Sequence, residues 1–246
     1  MDQLRIFQDA AAVCRAAAEE FVRAASEAIE ARGRFAASLS GGSTPRGLYA
    51  LLADDGESFR RRVDWSRVHF FWGDERCVPS DHPESNYRMA RESMLEKLSP
   101  PRENIHRIPT ELVDPEKIAG SYEADLRRFF KPAAGEPPRF DLILLGMGPD
   151  GHTASLFPRT EALEDRGRLV AANWVEKLRA HRVTLTLPVI NNAHRVLFLV
   201  AGGDKAKALD AVLRGPRRPE ELPAQAVRPV NGEMRWFADR AASPAF

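Results

Sequence analysis

Phe140-Asp-Leu-Ile-Leu-Leu-Gly-Met-Gly-Pro-Asp-Gly-His-Thr-Ala-Ser-Leu-Phe-Pro158 is a buried strand that runs straight into a glycine-rich loop. Phe140 to Leu145 is too short for a typical helix and too apolar for a strand with a wet face. It is therefore read as a central parallel strand buried on both sides. Gly146, Gly148 and Gly151 then let the backbone turn and approach a ligand closely. The loop carries one carboxylate, Asp150, and one imidazole, His152. A loop at this position lies at the carboxyl edge of a sheet, where open α/β folds bind ligands. His152 is expected to act as a general base, because imidazole titrates nearest to neutral pH.

Outward from this strand, the chain alternates strand and helix patterns. Ala10 to Ala31 has apolar residues at helical spacing and is ended by Gly33, and Phe35 to Leu39 follows as a short strand. A helix face begins at Gly47, a strand is expected at Val68 to Trp72, and a helix at Glu84 to Leu98. Ile105 to Ile108 reads as a weak strand and Pro115 to Phe130 as an amphipathic helix. Leu169 to Ala172, Val183 to Leu187 and Arg195 to Val200 read as further strands, and Asp204 to Leu213 as a helix. This alternation predicts an α/β fold with a doubly wound, mostly parallel sheet and helices on both faces. No repeat or linker divides the 246 residues, so residues 1–246 are expected to form one domain. Lys131 to Arg139 and Arg214 to Pro229 are proline-rich and read as surface loops.

Composition narrows the function classes. With 36 basic and 35 acidic side chains, the formal charge is +1, so no global field favours nucleic acid or an anionic membrane. Any bound anion must be held locally. Two cysteines give neither a disulfide framework nor zinc spacing, which points to a reducing compartment such as the cytoplasm. The N-terminal residues are charged too early for a signal peptide, and there is no apolar run of the length a membrane helix needs. The partners expected are a small molecule and, at most, further copies of the chain, as a monomer or small homo-oligomer.

Three further loops carry chemistry. Ser40-Gly41-Gly42-Ser43-Thr44-Pro45 joins a strand to a helix start. With Thr44 as N-cap and Pro45 as the first helical residue, its free N–H groups and hydroxyls form a phosphate cradle. The same residue types also make an ordinary capped turn. It lacks the lysine of a Walker motif. Trp72-Gly73-Asp74-Glu75-Arg76 ends a buried strand with three charges, and Asn86 and Arg88 are placed to face the same crevice. Arg182, opening Val183 to Leu187, and Lys205, between a strand and a helix, are cations suited to a phosphate.

Other reaction classes fit less well. Gly146-x-Gly148-x-x-Gly151 matches the dinucleotide fingerprint, but Pro149 lies inside it, Pro158 cuts any helix short, and Asp150 repels a pyrophosphate. No Gly-x-Ser-x-Gly elbow and no His-Glu-x-x-His or paired-cysteine metal set occurs, so no metal or cofactor is expected. Hydrolysis in such a chain uses water activated by a base. A nicotinamide-dependent oxidoreductase and a sugar-phosphate-binding module without catalysis stay open as other classes.

Leu39 to Tyr49, Phe71 to Met89, Phe140 to Pro158 and Arg182 to Ala208 together resemble the 6-phosphogluconolactonases, of the glucosamine-6-phosphate isomerase/6-phosphogluconolactonase superfamily. The most specific part is Gly-Met-Gly-Pro-Asp-Gly-His-Thr-Ala-Ser-Leu-Phe-Pro, supported by Gly-Asp-Glu-Arg, by Glu84-Ser85-Asn86-Tyr87 and by Arg-Val-Thr-Leu-Thr-Leu-Pro. The resemblance implies a modified Rossmann-like domain. It also implies cofactor-free hydrolysis of 6-phospho-D-glucono-1,5-lactone to 6-phosphogluconate, in the oxidative branch of the pentose phosphate pathway. In that scheme Gly41, Gly42, Ser43, Thr44, Arg182 and Lys205 hold the phosphate, Asn86 and Gly148 border the substrate, and His152 activates water. Either Asp150 or Asp74 orients the imidazole, and Arg76 stabilises developing negative charge. The deaminase branch of the superfamily looks like Asp-Glu-Tyr at Asp74-Glu75-Arg76, and carries a glutamate before the proline where this chain has Phe157. Lactonases often look like Pro-x-x-Glu-Arg where this chain reads Arg179-Ala180-His181-Arg182.

Overall fold

The structure is a computed structural model and describes residues 3–246. In chain order the elements are β1 (Gln3–Phe7), α1 (Ala10–Arg32), β2 (Phe35–Leu39), α2 (Ser43–Leu52), β3 (Val68–Trp72) and β4 (Asp74–Arg76). Then come α3 (Asn86–Ala90) and α4 (Glu96–Leu98), joined into one run by a π-helical turn, β5 (Ile105–His106), α5 (Pro115–Phe130) and β6 (Leu142–Leu145). The chain continues with α6 (Glu161–Glu164), β7 (Val170–Val175), β8 (Ala180–Leu185), α7 (Leu187–Ile190), β9 (Arg195–Val200), α8 (Ala206–Arg214) and β10 (Glu233–Asp239).

Seven strands form one sheet in the order β1-β10-β9-β6-β2-β3-β5, and every neighbouring pair is parallel. The apolar runs explain why its centre is covered on both sides: all five residues of β2 and all four of β6 are buried. Successive residues of a strand point to opposite faces, and β3 shows what meets each one. Phe70 stacks on Trp65, which stacks on Phe21 of α1, whereas Phe71 meets Phe129 of α5 at 5.1 Å between centroids. Helices thus pack against both faces, as the alternation predicted. Asp141, buried just ahead of β6, ties that strand to its neighbour by accepting the Ala36 N–H at 2.7 Å and the Arg32 guanidinium at 2.5 Å.

The chain winds from β2 outward to β3 and β5, then returns to β6 beside β2 and winds the other way through β9 and β10. The winding reverses between β2 and β6, so the carboxyl ends of those two strands open the crevice that binds ligands in such sheets. The loops leaving there are Ser40 to Gly42 and Gly146 to His152.

Several expectations need correction. Leu169 to Ala172 and Val183 to Leu187 do not extend the parallel sheet. As β7 and β8 they pair antiparallel with each other, β8 also pairs antiparallel with β4, and the three form a separate sheet, while Leu187 belongs to α7. Their apolar periodicity marks strands but carries no information on direction or partner. Asp74 to Arg76, expected as a charged loop, form β4. The edge strand β1 and its neighbour β10 were not anticipated. The helix expected from Glu84 begins at Asn86, because the Ser85 hydroxyl accepts the Arg88 N–H and caps it.

Candidate active site

The loop after β2 is shaped by contacts that only small residues permit. Gly42 has φ 108°, in the region that favours glycine, and it is the N-cap of α2. A Cβ on Gly41 would overlap the Asn86 side-chain amide. The buried Tyr49 hydroxyl, which accepts the Ser40 N–H at 3.0 Å and donates to the Ser40 carbonyl at 2.9 Å, locks the loop from below. Thr44 is therefore not the N-cap. The helix starts two residues earlier than expected, at Ser43, because Gly42 supplies the turn that a β-region Thr44 was expected to make. Pro45 has no N–H and the Arg46 N–H is taken by the Gly42 carbonyl at 3.1 Å, which leaves the N–H groups of Ser43 and Thr44 at the positive end of the helix.

The loop after β6 folds tightly around the imidazole. Gly148 N–H donates to the His152 carbonyl at 2.9 Å and Gly151 N–H to the Gly148 carbonyl at 3.0 Å, with Gly151 at φ 75°. A Cβ on Gly148 would overlap the His152 ring. His152 Nδ1 lies 2.5 Å from Asp150 Oδ1, and its ring stacks on Phe157 with centroids 4.1 Å apart. Burial acts to raise the pKa of Asp150, but hydrogen bonds from His152 and Lys177 outweigh it and hold the carboxyl well below the usual carboxylate range. A charged carboxylate only accepts, so Nδ1 carries the hydrogen, and in the neutral ring that leaves the lone pair on Nε2.

Strand β4, one residue beyond β3, carries Asp74 and Arg76. Asp74 accepts the Ser155 hydroxyl at 2.7 Å, and Asn86 Nδ2 donates to the Asp74 carbonyl at 2.9 Å. Of the two carboxylates considered for the imidazole, Asp150 is the one bonded to it. Glu75 points inward: it accepts the Asn86 and Tyr87 N–H groups, each at 2.8 Å, and the Ser85 hydroxyl at 3.0 Å, which anchors the start of α3. Burial pushes its carboxyl pKa up against those bonds.

These loops enclose a cleft of about 270 Å³ at the point where the winding reverses. Gly41, Gly42, Ser43, Thr44, Asp74, Arg76, Asn86, Gly148, His152 and Lys205 line it. Asp150 stands behind His152. Arg182 is not among the lining residues; it lies opposite Arg76 in the β4–β8 register. Among the described residues neither arginine is ion-paired with a carboxylate; Arg76 donates to the Glu84 carbonyl and Arg182 to that of His181. Burial first, and then Arg76, lower the pKa of Arg182. Two cations side by side without an ion-paired carboxylate are stabilised by an incoming anion. Lys177 and Ser155 were missed by sequence reasoning. Ser155 sits in the motif already singled out, but nothing in the sequence marked Lys177, 27 residues from the carboxylate it touches. The fingerprint glycines open no helix: the next one, α6, starts only at Glu161.

The family model described as glucosamine-6-phosphate isomerases/6-phosphogluconolactonase matches residues 8–236. A curated 6-phosphogluconolactonase from Synechocystis is 46% identical over 217 residues, covering 88% of this chain and 87% of that protein. A solved 6-phosphogluconolactonase from Trypanosoma cruzi superposes with a TM-score of 0.87 at 26% identity, covering 100% of this chain and 97% of the other. A solved monomeric glucosamine-6-phosphate deaminase gives a TM-score of 0.80 at 20% identity, covering 98% of each chain, a likeness of fold alone. A family match across nearly the whole length, together with a relative of this identity, means that the chain belongs to the glucosamine-6-phosphate isomerase/6-phosphogluconolactonase family.

Proposed function

We propose that this chain hydrolyses 6-phospho-D-glucono-1,5-lactone to 6-phospho-D-gluconate by water activated at His152. The observation that carries this reading is the Asp150–His152 pair, bonded at 2.5 Å, sharing one cleft with the N-terminus of α2 and with Lys205. A general base and a phosphate cradle in one small cleft suit a phosphorylated substrate whose reacting carbon lies away from its anchor. The Synechocystis and Trypanosoma cruzi relatives, both named 6-phosphogluconolactonases, support the lactone.

The 6-phosphate is held by the Ser43 and Thr44 N–H groups and hydroxyls, by Lys205, and by Arg182 from beside Arg76. Lactone C1 is thereby fixed near His152. Nε2 takes a proton from water as the oxygen attacks C1, and the tetrahedral oxyanion that forms is stabilised by Arg76. The imidazolium, held by the Asp150 carboxylate, then returns the proton to the ring oxygen as the C1–O bond breaks. Asp74, fixed by Ser155 and Asn86, accepts a sugar hydroxyl, with Asn86 and Gly148 at the border of the same site. The chain lacks the glutamate that ring-opening deamination uses before the proline, which favours the lactone over glucosamine 6-phosphate.

Proton release from freshly generated lactone, corrected for its spontaneous decay, tests the activity. The unsubstituted protein is expected to accelerate it and to release no ammonia from glucosamine 6-phosphate. Binding of 6-phosphogluconate with lactone decay left at its spontaneous rate would instead mean a binding module.

A further inference from the structure

We propose that Lys177 is a positioning residue for His152, holding and partly neutralising the Asp150 carboxylate so that the imidazole stays oriented yet uncharged at working pH. This inference rests on the lactonase reading above.

Lys177 lies in the 3₁₀ turn Glu176–Leu178 that joins β7 to β8, and Arg179, at φ 48°, closes that turn. From there its ammonium contacts Asp150 Oδ2, while His152 uses Oδ1 of the same carboxylate. The ammonium also stands 4.9 Å from the centre of the Phe157 ring, which is the ring stacked on His152. Lysine, carboxylate, imidazole and phenyl ring therefore form a closed circuit of contacts, tying the second sheet to the loop that carries the base. About half of the Lys177 side chain is exposed, so the ion pair adds little to stability. Its effect falls on the imidazole. A lone carboxylate at 2.5 Å favours imidazolium, which is no base at all, and a cation on the second oxygen offsets that pull. The other charged groups around the imidazole are Asp74 and Arg76 from β4 and Lys205 ahead of α8, with Arg182 beside Arg76; Lys177 is the one that touches the carboxylate.

Lys177→Met and Lys177→Arg, in the full chain, separate this role from a structural one. In Lys177→Met, the acidic limb of the kcat/KM profile is expected to move up by about one pH unit, from loss of one charge a few ångströms beyond the carboxylate. Turnover near pH 7 should fall several-fold, KM should change little, and the melting temperature should hold. Lys177→Arg, which restores the charge, should bring the limb back. Nitrogen-detected NMR titration of the His152 ring in the unliganded protein should show the same upward move, independent of activity. A limb and a ring titration unmoved in Lys177→Met, or moved equally in Lys177→Arg, overturn the proposal. His152→Asn in the same assay tells the two failures apart. If His152→Asn is inactive and Lys177→Met behaves as wild type, only this inference falls; if His152→Asn keeps normal turnover, the general-base reading falls and takes this one with it.

Discussion

Gly148→Ala puts the geometry of the catalytic loop under the most direct strain. A Cβ built on Gly148 overlaps Nδ1 and Cε1 of His152 and comes within 2.8 Å of Asp150 Oδ1. Gly148 does not have positive φ, so alanine meets no backbone penalty there and the conflict is with side chains alone. The backbone cannot easily yield, because the Gly148 N–H and carbonyl are both bonded within the loop, at 2.9 and 3.0 Å. The ring must swing instead, by about 1.5 Å to regain an ordinary contact distance of roughly 3.5 Å. Such a displacement breaks the 2.5 Å bond to Asp150 and moves Nε2 off the attacking water. A misplacement of about 1 Å costs on the order of 100-fold in turnover, equivalent to about 2.7 kcal/mol in the barrier. The phosphate anchors lie in other loops, so KM for the phosphorylated lactone should change less than about threefold. Gly146→Ala supplies the comparison: a Cβ there meets no protein atom within 4 Å but borders the cleft, so any loss should fall on KM and leave turnover close to the wild-type rate. Both are read by continuous proton release from fresh lactone at neutral pH. Equal turnover in the two variants, or a Gly148→Ala loss confined to KM, would refute the placement of His152 as the base.

His152→Asn should lower turnover by about 100-fold or more while leaving 6-phosphogluconate binding in place, measured by kinetics and by calorimetry on the same preparation. Arg182→Ala should weaken the phosphorylated substrate by about 1.5–3 kcal/mol, seen as a roughly 10- to 100-fold rise in KM. Hydrolysis of unphosphorylated gluconolactone should hardly respond, and an equal loss on both substrates would remove Arg182 from the phosphate site. Away from the cleft, burial first, and then His106 and Arg34, push the pKa of His69 down to about 4. The unfolded chain takes up that proton near pH 6.5, so it binds more protons than the native state over this window. Stability should therefore fall as pH drops from about 6.5 to about 4, and His69→Asn should flatten that slope in denaturant titrations at pH 7 and pH 5.

Much of the fold was legible because its central strands are apolar on both faces. Phe140 to Leu145 and Phe35 to Leu39 announce themselves by composition, and the loops that follow them contain the chemistry. The strands that were missed carry weaker signals. In β10, Glu233, Met234 and Arg235 dilute the apolar run before Trp236 and Phe237, and the edge strand β1 needs β10 to pair with. Three charged residues in a row disguise β4, which exists because β8 offers it a ladder. The pairing of Asp150 with His152 was half legible. Their spacing brings them close, but φ 75° at Gly151 is what turns one side chain onto the other. Lys177 was not legible at all, since only the β7–β8 hairpin carries it back to Asp150.

The small antiparallel sheet has one more consequence. It is fastened to the large one by hydrogen bonds such as the Leu185 N–H on the Gly73 carbonyl at 2.8 Å, and by Val170, Ala171, Val183 and Leu185, which are buried in the core shared with the seven-stranded sheet. A unit that shares its core with the rest of the molecule opens together with it. Asp74, Arg76, Arg182 and Lys177 all ride on that sheet or its turn, so on heating, activity and tertiary structure should be lost in one transition.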